Sequence, residues 1–402
     1  MSPLKAGKQR AHLRDLLEAR WDIPGLLGAL GEYLGQQICM GSGSVSKLGR
    51  IMSQQGLKKP LLVADPGVIA GGHLEFMVQS LKATVDSVRV FTDVSENPTD
   101  RSIRRGADKL KLEEFDSIIG FGGGSAMDTA KGLNFLVTNG GQMMDYQGYG
   151  KASLPMLPSI GIPTTAGSGS EAQSYAVVVR AEDNVKIACG DIKARFQSVI
   201  LDSSFLVSVP RDVQAAAGID AISHALESFV CRTSTTRSRS FSRKSWKYLE
   251  RSIEKSVLHG MPRSTEEMLL GSYLAGNAIE QSMLGAAHAC ANPLTARYGV
   301  RHGVAIGLVL PEVIRFNSES GDVRYDRIEI TDTAKSNSGR IEGRVREIRM
   351  TLGLPTTLVQ IGAERSKISE LSRAAALQWT GRFNPIQVTE EIAESIYEGS
   401  FN

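Results

Sequence analysis

The chain has 402 residues, 42% of them hydrophobic and 22% charged, with a formal net charge of +3 at pH 7. That length fits two or three domains around a large core, and so small a charge excess makes no case for nucleic-acid binding. Cys39, Cys189, Cys231 and Cys290 form no CxxC pair, no apolar run reaches the roughly 18 residues that span a bilayer, and no signal-peptide core is present, so a reduced, cytoplasmic protein is expected.

Residues 1–34 read as a helical extension. Leu13, Leu16, Leu17 and Trp21 recur at helical spacing, Asp22-Ile23-Pro24 interrupts the pattern, and Leu26, Leu27, Leu30 and Leu34 resume it, which predicts two short amphipathic helices. Lys5, Lys8, Arg10, Arg14 and Arg20 outweigh Asp15 and Glu18. A helical pair docked on the body or on a sister subunit, an assembly or encapsulation peptide, and a membrane-surface or targeting helix all fit this pattern.

From residue 35 to 207, apolar strand-like runs alternate with helical segments. LLVAD (61–65), VRVFTDV (88–94) and DSIIGFGGGS (116–125) are the strand candidates, and their rhythm predicts a parallel sheet covered by helices on both faces. Its ligand site belongs at the carboxyl ends of the strands. Asp65 closes the first strand, where a carboxylate can accept both ribose hydroxyls of an adenosine and repel a 2′-phosphate, favouring NAD over NADP; a turn or helix cap in DPG is the alternative. Gly122, Gly123 and Gly124 lie between a strand and a helix starting near Ser125, so backbone N–H groups can approach a pyrophosphate at a positive helix end. The run is neither GxGxxG nor a Walker A loop. A second loop of small residues, Pro163 to Glu171, adds hydroxyl donors, and the two loops together point to a dinucleotide site.

Residues 208–402 carry the metal chemistry. Asp220 and His224 stand four apart in GIDAISHALES, on one face of a helix; His288 follows in GAAHACANPL and His302 in VRHGVAIG. Three neutral imidazoles and one carboxylate suit Fe(II) or Zn(II) with room for a substrate oxygen. The Asp–His pair taken alone also fits a satisfied core hydrogen bond. Cys231 to Lys247 holds six Arg/Lys and reads as a solvated connector, or else as a patch for an anionic substrate or partner. The polar stretch from Ile330 to Arg349 reads as a shortened or mobile helical connection, and Trp379 as core packing.

GGGSxxDxAK (Gly122 to Lys131), PTTAGSGSE (163–171), GxDAxxHAxE (Gly218 to Glu227) and GxxHAxAxPL followed by HGxAxGxxLP (285–311) resemble the iron-containing, group III alcohol dehydrogenases. MGSGSVSKLG near 41–50, SENPT at 95–99 and NPIQVTEEIAESIYE at 384–398 extend the likeness to about residues 36–400. The resemblance implies an α/β dinucleotide-binding domain with a parallel sheet, an all-α metal-binding domain of the dehydroquinate synthase-like architecture, and a cleft between them. It implies Asp220, His224, His288 and His302 as metal ligands, Asp65 on the adenosine ribose, and Gly123, Gly124 and Ser125 on the pyrophosphate. Asp128, Thr164, Thr165 and Ser168 would touch further parts of the cofactor, as would Lys186, unless Lys186 is an exposed strand lysine.

The activity implied is NAD(H)-linked, metal-dependent alcohol dehydrogenation, working mainly as reduction of a short polar aldehyde, in at least a homodimer. Dehydroquinate synthase and glycerol dehydrogenase share the architecture, but three His with one Asp argues against both. A weakly active assembly protein that recruits partners through residues 1–34 is a third reading. The chain departs from its relatives at Asn292, where the family commonly has a second His four residues after the third ligand, often invoked in proton relay. Asn hydrogen-bonds but cannot cycle a proton, so a slower or rerouted proton step is expected, with the metal site intact.

Overall fold

Parallel strands buried on both faces read as continuous apolar runs, and the sequence provides several. In the computed structural model, which describes residues 23–320, 325, 327, 328 and 338–401, the first unit comprises the described residues up to Thr165 together with Ser170–Val209. It begins with helix α1 (Ile23–Leu34) and strand β1 (Gln37–Met40). There follow α2 (Leu48–Gln54), β2 (Pro60–Ala64), α3 (Pro66–Ala70), α4 (His73–Lys82), β3 (Arg89–Phe91) and α5 (Asp100–Leu110). Next come β4 (Ser117–Gly122), α6 (Gly124–Asn139), β5 (Gly148–Tyr149), β6 (Ser159–Pro163), β7 (Tyr175–Arg180), β8 (Val185–Gly190) and β9 (Ser198–Leu201).

Six strands form one wholly parallel sheet in the order β1-β9-β6-β4-β2-β3. Every residue of β2, β4, β6 and β9 is buried. Leu62, Ile119, Phe121, Ile160, Ile162 and Ile200 make a core on one face against Met52, Met77 and Leu81. From β2 the chain passes to β3 on one side and to β4 on the other, so the strand order reverses at β2, and the carboxyl ends of β2 and β4 form the switch point where such sheets bind ligands.

One expected strand is shorter than its apolar run, and one sheet is added. VRVFTDV contributes only the short edge strand β3, with Arg89 and Val90 exposed, because one neighbour and one covered side bury little of an edge. A small second sheet, β5-β8-β7, in which β7 and β8 pair antiparallel, was not foreseen. Of the two helices expected in residues 1–34, the one carrying Leu13, Leu16, Leu17 and Trp21 lies outside the described residues. The other is α1, with Leu26 and Leu30 at 1% and 0% exposure, and it belongs to the first unit.

The second unit comprises Ala166–Gly169 and Pro210–Asn402 and is built on α7 (Arg211–Val230), α8 (Thr236–His259), α9 (Pro262–Glu280), α10 (Ala286–Tyr298), α11 (His302–Glu319), α12 (Ser338–Thr351), α13 (Ile368–Ala376) and α14 (Glu390–Ser400). From Gly218 to Val230 every residue of α7 is buried, Asp220, His224 and Glu227 among them, so this is a helix packed on all sides that carries one polar face. The Arg/Ser-rich stretch after Cys231 is no solvated connector. Thr235 and Ser238 form a capping box that starts α8, and Ser238, Ser242, Ser245, Ser252 and Ser256 make a buried stripe of small side chains. Their hydroxyls find partners: Ser242 with Ser228 at 2.8 Å, Ser245 with the Gly271 carbonyl at 2.7 Å, and Ser252 with Glu267 at 2.5 Å.

The described part of the polar stretch after Ile330 is helical, as expected, and is anchored by ion pairs; residues 329–337 lie outside the described ones. On α12, Arg344 pairs with Glu250 and Glu254, Arg346 with Glu312, and the buried Arg349 donates to the Gly307 carbonyl at 2.7 Å.

Candidate metal centre and cofactor loops

Helix α7 sets Asp220 and His224 one turn apart on one face, α10 adds His288 in its first turn, and α11 begins at His302. The start of α11 is held against α7 by close packing: a Cβ on Gly303 would stand 1.9 Å from the Ala216 carbonyl oxygen, so only glycine lets the two helices approach there. The donor atoms converge. Asp220 Oδ1 lies 3.4 Å from His224 Nε2, 3.7 Å from His288 Nε2 and 3.9 Å from His302 Nε2, and the Nε2 atoms of His224 and His288 are 3.1 Å apart. His224 and His288 are 5% and 4% exposed, and Asp220 9%.

The electrostatics are those of a cation site. Asp220 Oδ1 is buried and accepts no hydrogen bond among the described residues, a state that costs about 1–3 kcal/mol unless a partner compensates it. Burial by itself would raise the Asp220 carboxyl, but the imidazoles of His224, His302 and His288 outweigh it and hold it well below the usual carboxylate range. Burial lowers His224. Burial also opposes a proton on His288, but the Glu227 and Asp220 carboxylates overcome it and hold His288 up to about 9. One carboxylate and three imidazole nitrogens with a buried unsatisfied oxygen at their centre fit a divalent transition metal.

Glu227 was not singled out from the sequence. Its Oε2 contacts His288 Nδ1, and its Oε1 accepts the Ala287 N–H at 2.7 Å. A carboxylate there keeps the proton on Nδ1 and leaves Nε2 facing Asp220 and His224, the usual way an outer partner orients a ligating imidazole. The signal was in HALES: Glu227 follows His224 by three and Asp220 by seven, on the same helix face.

In the first unit Asp65 sits at the end of β2 and caps α3. Its Oδ1 accepts the Val68 N–H at 2.9 Å and its Oδ2 the Gly123 N–H at 2.7 Å. The cap reading of DPG is therefore realised, and Gly123, expected on a pyrophosphate, directs its N–H to Asp65. Gly122 has φ 148°, and a Cβ on it would fall 2.2 Å from Asp65 Oδ2, so the turn into α6 needs glycine there on both counts. Gly124 opens α6, and the Ser125 hydroxyl accepts the Asn97 N–H at 3.3 Å.

Asp128 is engaged inside the unit: its Oδ1 accepts from the Ser170 hydroxyl at 2.8 Å, while Lys131 donates to Ser170 and to the Tyr175 carbonyl. Burial raises the Asp128 carboxyl against the pull of Lys131 and, more weakly, of Lys186, which lies half-buried on β8. Thr164 is buried and hydrogen-bonds through its N–H to the Gly122 carbonyl at 2.9 Å; Thr165 follows it, half-buried. Ser168 belongs to the 166–169 loop of the second unit. Asn292 is one turn beyond His288 on α10 and donates through Nδ2 to Gln378 Oε1 at 3.0 Å. Trp379, in the adjoining turn, is half-buried and meets Phe383 edge-on.

Residues 35–203 match the iron-containing alcohol dehydrogenase model, and residues 214–401 match the C-terminal model of the Fe-containing alcohol dehydrogenase family. Alcohol dehydrogenase 4 of Schizosaccharomyces pombe is 30% identical over 92% of this chain and 88% of its own length, and the NAD-dependent methanol dehydrogenase of Bacillus methanolicus is 29% identical over 89% and 96%. Among solved structures, a 1,3-propanediol oxidoreductase superposes with a TM-score of 0.86 at 26% identity, covering 91% of this chain and 98% of that one. The chain belongs to the iron-containing alcohol dehydrogenase family, and its chemistry is oxidoreduction between alcohols and aldehydes. Among the described residues, no helix is long and apolar enough to cross a membrane.

Proposed function

We infer that the protein is an NAD(H)-linked, metal-dependent alcohol dehydrogenase that works mainly as a reductase of short polar aldehydes, in the cytoplasm and as a homodimer or larger homo-oligomer. The observation that carries this reading is the convergence of Asp220, His224, His288 and His302 around a buried, unsatisfied carboxylate oxygen. These four residues would hold Fe(II), or Zn(II) by the general affinity order. When bound, the metal supplies Lewis acidity to a carbonyl or hydroxyl oxygen, and the nicotinamide supplies hydride chemistry.

The chain's own contribution is positional. Glu227 holds the Nδ1 proton of His288; Asp65, fixed by two main-chain N–H groups, keeps lone pairs for ribose hydroxyls and disfavours a 2′-phosphate; Gly123, its own N–H taken by Asp65, caps α6, and Gly124 and Ser125 open that helix toward a pyrophosphate. Asp128, Thr164, Thr165, Ser168 and Lys186 belong with the cofactor in this reading. Asn292 cannot cycle a proton, so the proton step runs through water or another group. Asn292→His is expected to change turnover and its pH dependence between pH 6 and 10, and an unchanged profile would discard that idea.

The direct test is NADH oxidation by anaerobically purified, Fe(II)-loaded protein with a panel of short neutral and anionic aldehydes. Metal-dependent turnover supports the reading. Bound NADH without turnover on any aldehyde overturns it and favours an assembly role for a weakly active body.

A further inference from the structure

Asn292 and Gln378 form a directed chain of amides. Gln378 Nε2 donates to the Ala374 carbonyl at 3.4 Å, which leaves Gln378 Oε1 as the acceptor facing Asn292; Asn292 must then offer its Nδ2, as it does at 3.0 Å. The amide of Asn292 is thereby oriented, with Oδ1 turned away from Gln378. That oxygen is buried and accepts no hydrogen bond among the described residues. Asn292 shares the face of α10 that carries His288, one turn further along. The turn that supplies Gln378 packs on the same helix: a Cβ on Gly381 would lie 3.4 Å from Cβ of Ala289.

A buried carbonyl oxygen fixed in direction beside a metal-ligand candidate recognises a hydrogen-bond donor and rejects a methyl group in its place. The asymmetry is physical: a site built to hydrogen-bond a hydroxyl leaves a polar group unpaired when the analogue lacks it, whereas an apolar wall discriminates little. We propose that Asn292, aimed by Gln378, is a specificity-determining residue that selects substrates with a hydroxyl or amino donor near the reacting carbon. Asn292 is the contact and Gln378 the positioning residue. The inference rests on the aldehyde-reductase reading of the same site and adds the class of substrate.

Glycolaldehyde and propanal differ in a hydroxyl against a methyl group at nearly constant size, and so do the unreactive glycolamide and propionamide. The Fe(II)-loaded protein is expected to favour glycolaldehyde at least about tenfold in kcat/KM, and its NADH complex to bind glycolamide more tightly than propionamide, read from the fluorescence of bound NADH. Asn292→Leu brings both ratios toward one. Gln378→Leu, which keeps the Asn292 side chain, lowers both in the same direction. Wild-type ratios near one overturn the proposal, as do ratios unchanged in both variants, or a change in NADH affinity that is equal for both members of each pair. Absence of turnover with the amide preference intact would sink the reductase reading and leave the acceptor assignment standing.

Discussion

At the residue scale, the candidate metal centre depends on a carboxylate that touches no metal. Glu227 is 1% exposed and spans His288 Nδ1 and the Ala287 N–H, so removing its charge loosens both the tautomer and the ring orientation of one ligand. Glu227→Gln is expected to weaken Fe(II) or Zn(II) binding about 10–100-fold, measured by competition with a chelator, while the protein stays folded. A second buried acid sets a pH dependence of stability. Burial raises the Glu171 carboxyl to about 7, against the pull of Lys131. Because the folded state holds this proton more tightly than the unfolded chain, the associated stability is complete below about pH 4.5 and is lost as pH rises through about 7. Relative to wild type, Glu171→Gln is expected to gain about 2–3 kcal/mol of unfolding free energy between pH 5 and pH 8, read from denaturant midpoints at the two pH values. An equal difference at both would show that Glu171 ionises normally.

At the element scale, the two functional loci are made by close approaches rather than by side-chain bulk. The β4–α6 turn holds its shape because Gly122 takes φ 148° beside the Asp65 carboxylate. Gly122→Ala is expected to cost about 2 kcal/mol or more, visible as a lowered Tm, since both the backbone conformation and the 2.2 Å approach to Asp65 resist a Cβ. The GGGS run announced this turn in the sequence, and the βαβ rhythm announced the sheet around it. The role of the Ser/Arg stretch was not legible in the same way. Its arginines suggested solvent, whereas the serines at 238, 242, 245, 252 and 256 form a helical stripe that packs into the bundle. Polar side chains are read as exposed until their partners are known, and here those partners lie on α7 and α9. The same holds for α12, whose Arg344 and Arg346 meet glutamates about 34 to 94 positions away in the chain.

For the whole molecule, the helical part of the N-terminal segment that the structure describes is α1, from Ile23 to Leu34. Leu26 and Leu30 of α1 are core residues of the first unit, so deleting residues 1–34 would remove packing as well as any docking peptide. Removing residues 1–22 instead is expected to leave metal binding and turnover intact; loss of oligomers or of partner binding in that variant, read by light scattering, would assign the segment to assembly, and loss of activity would reject that role. The parallel α/β class, the glycine turn and the metal-ligand candidates were legible in the chain alone, because burial on both faces, a strand-to-helix turn and an i,i+4 pair each leave a local pattern. Folding alone brings His288 and His302 within 4 Å of Asp220, sets Glu227 behind His288 and turns Gln378 onto Asn292. Those contacts join side chains far apart in the chain, and hydrogen-bond direction and helix-to-helix approach are set by packing that no local pattern encodes.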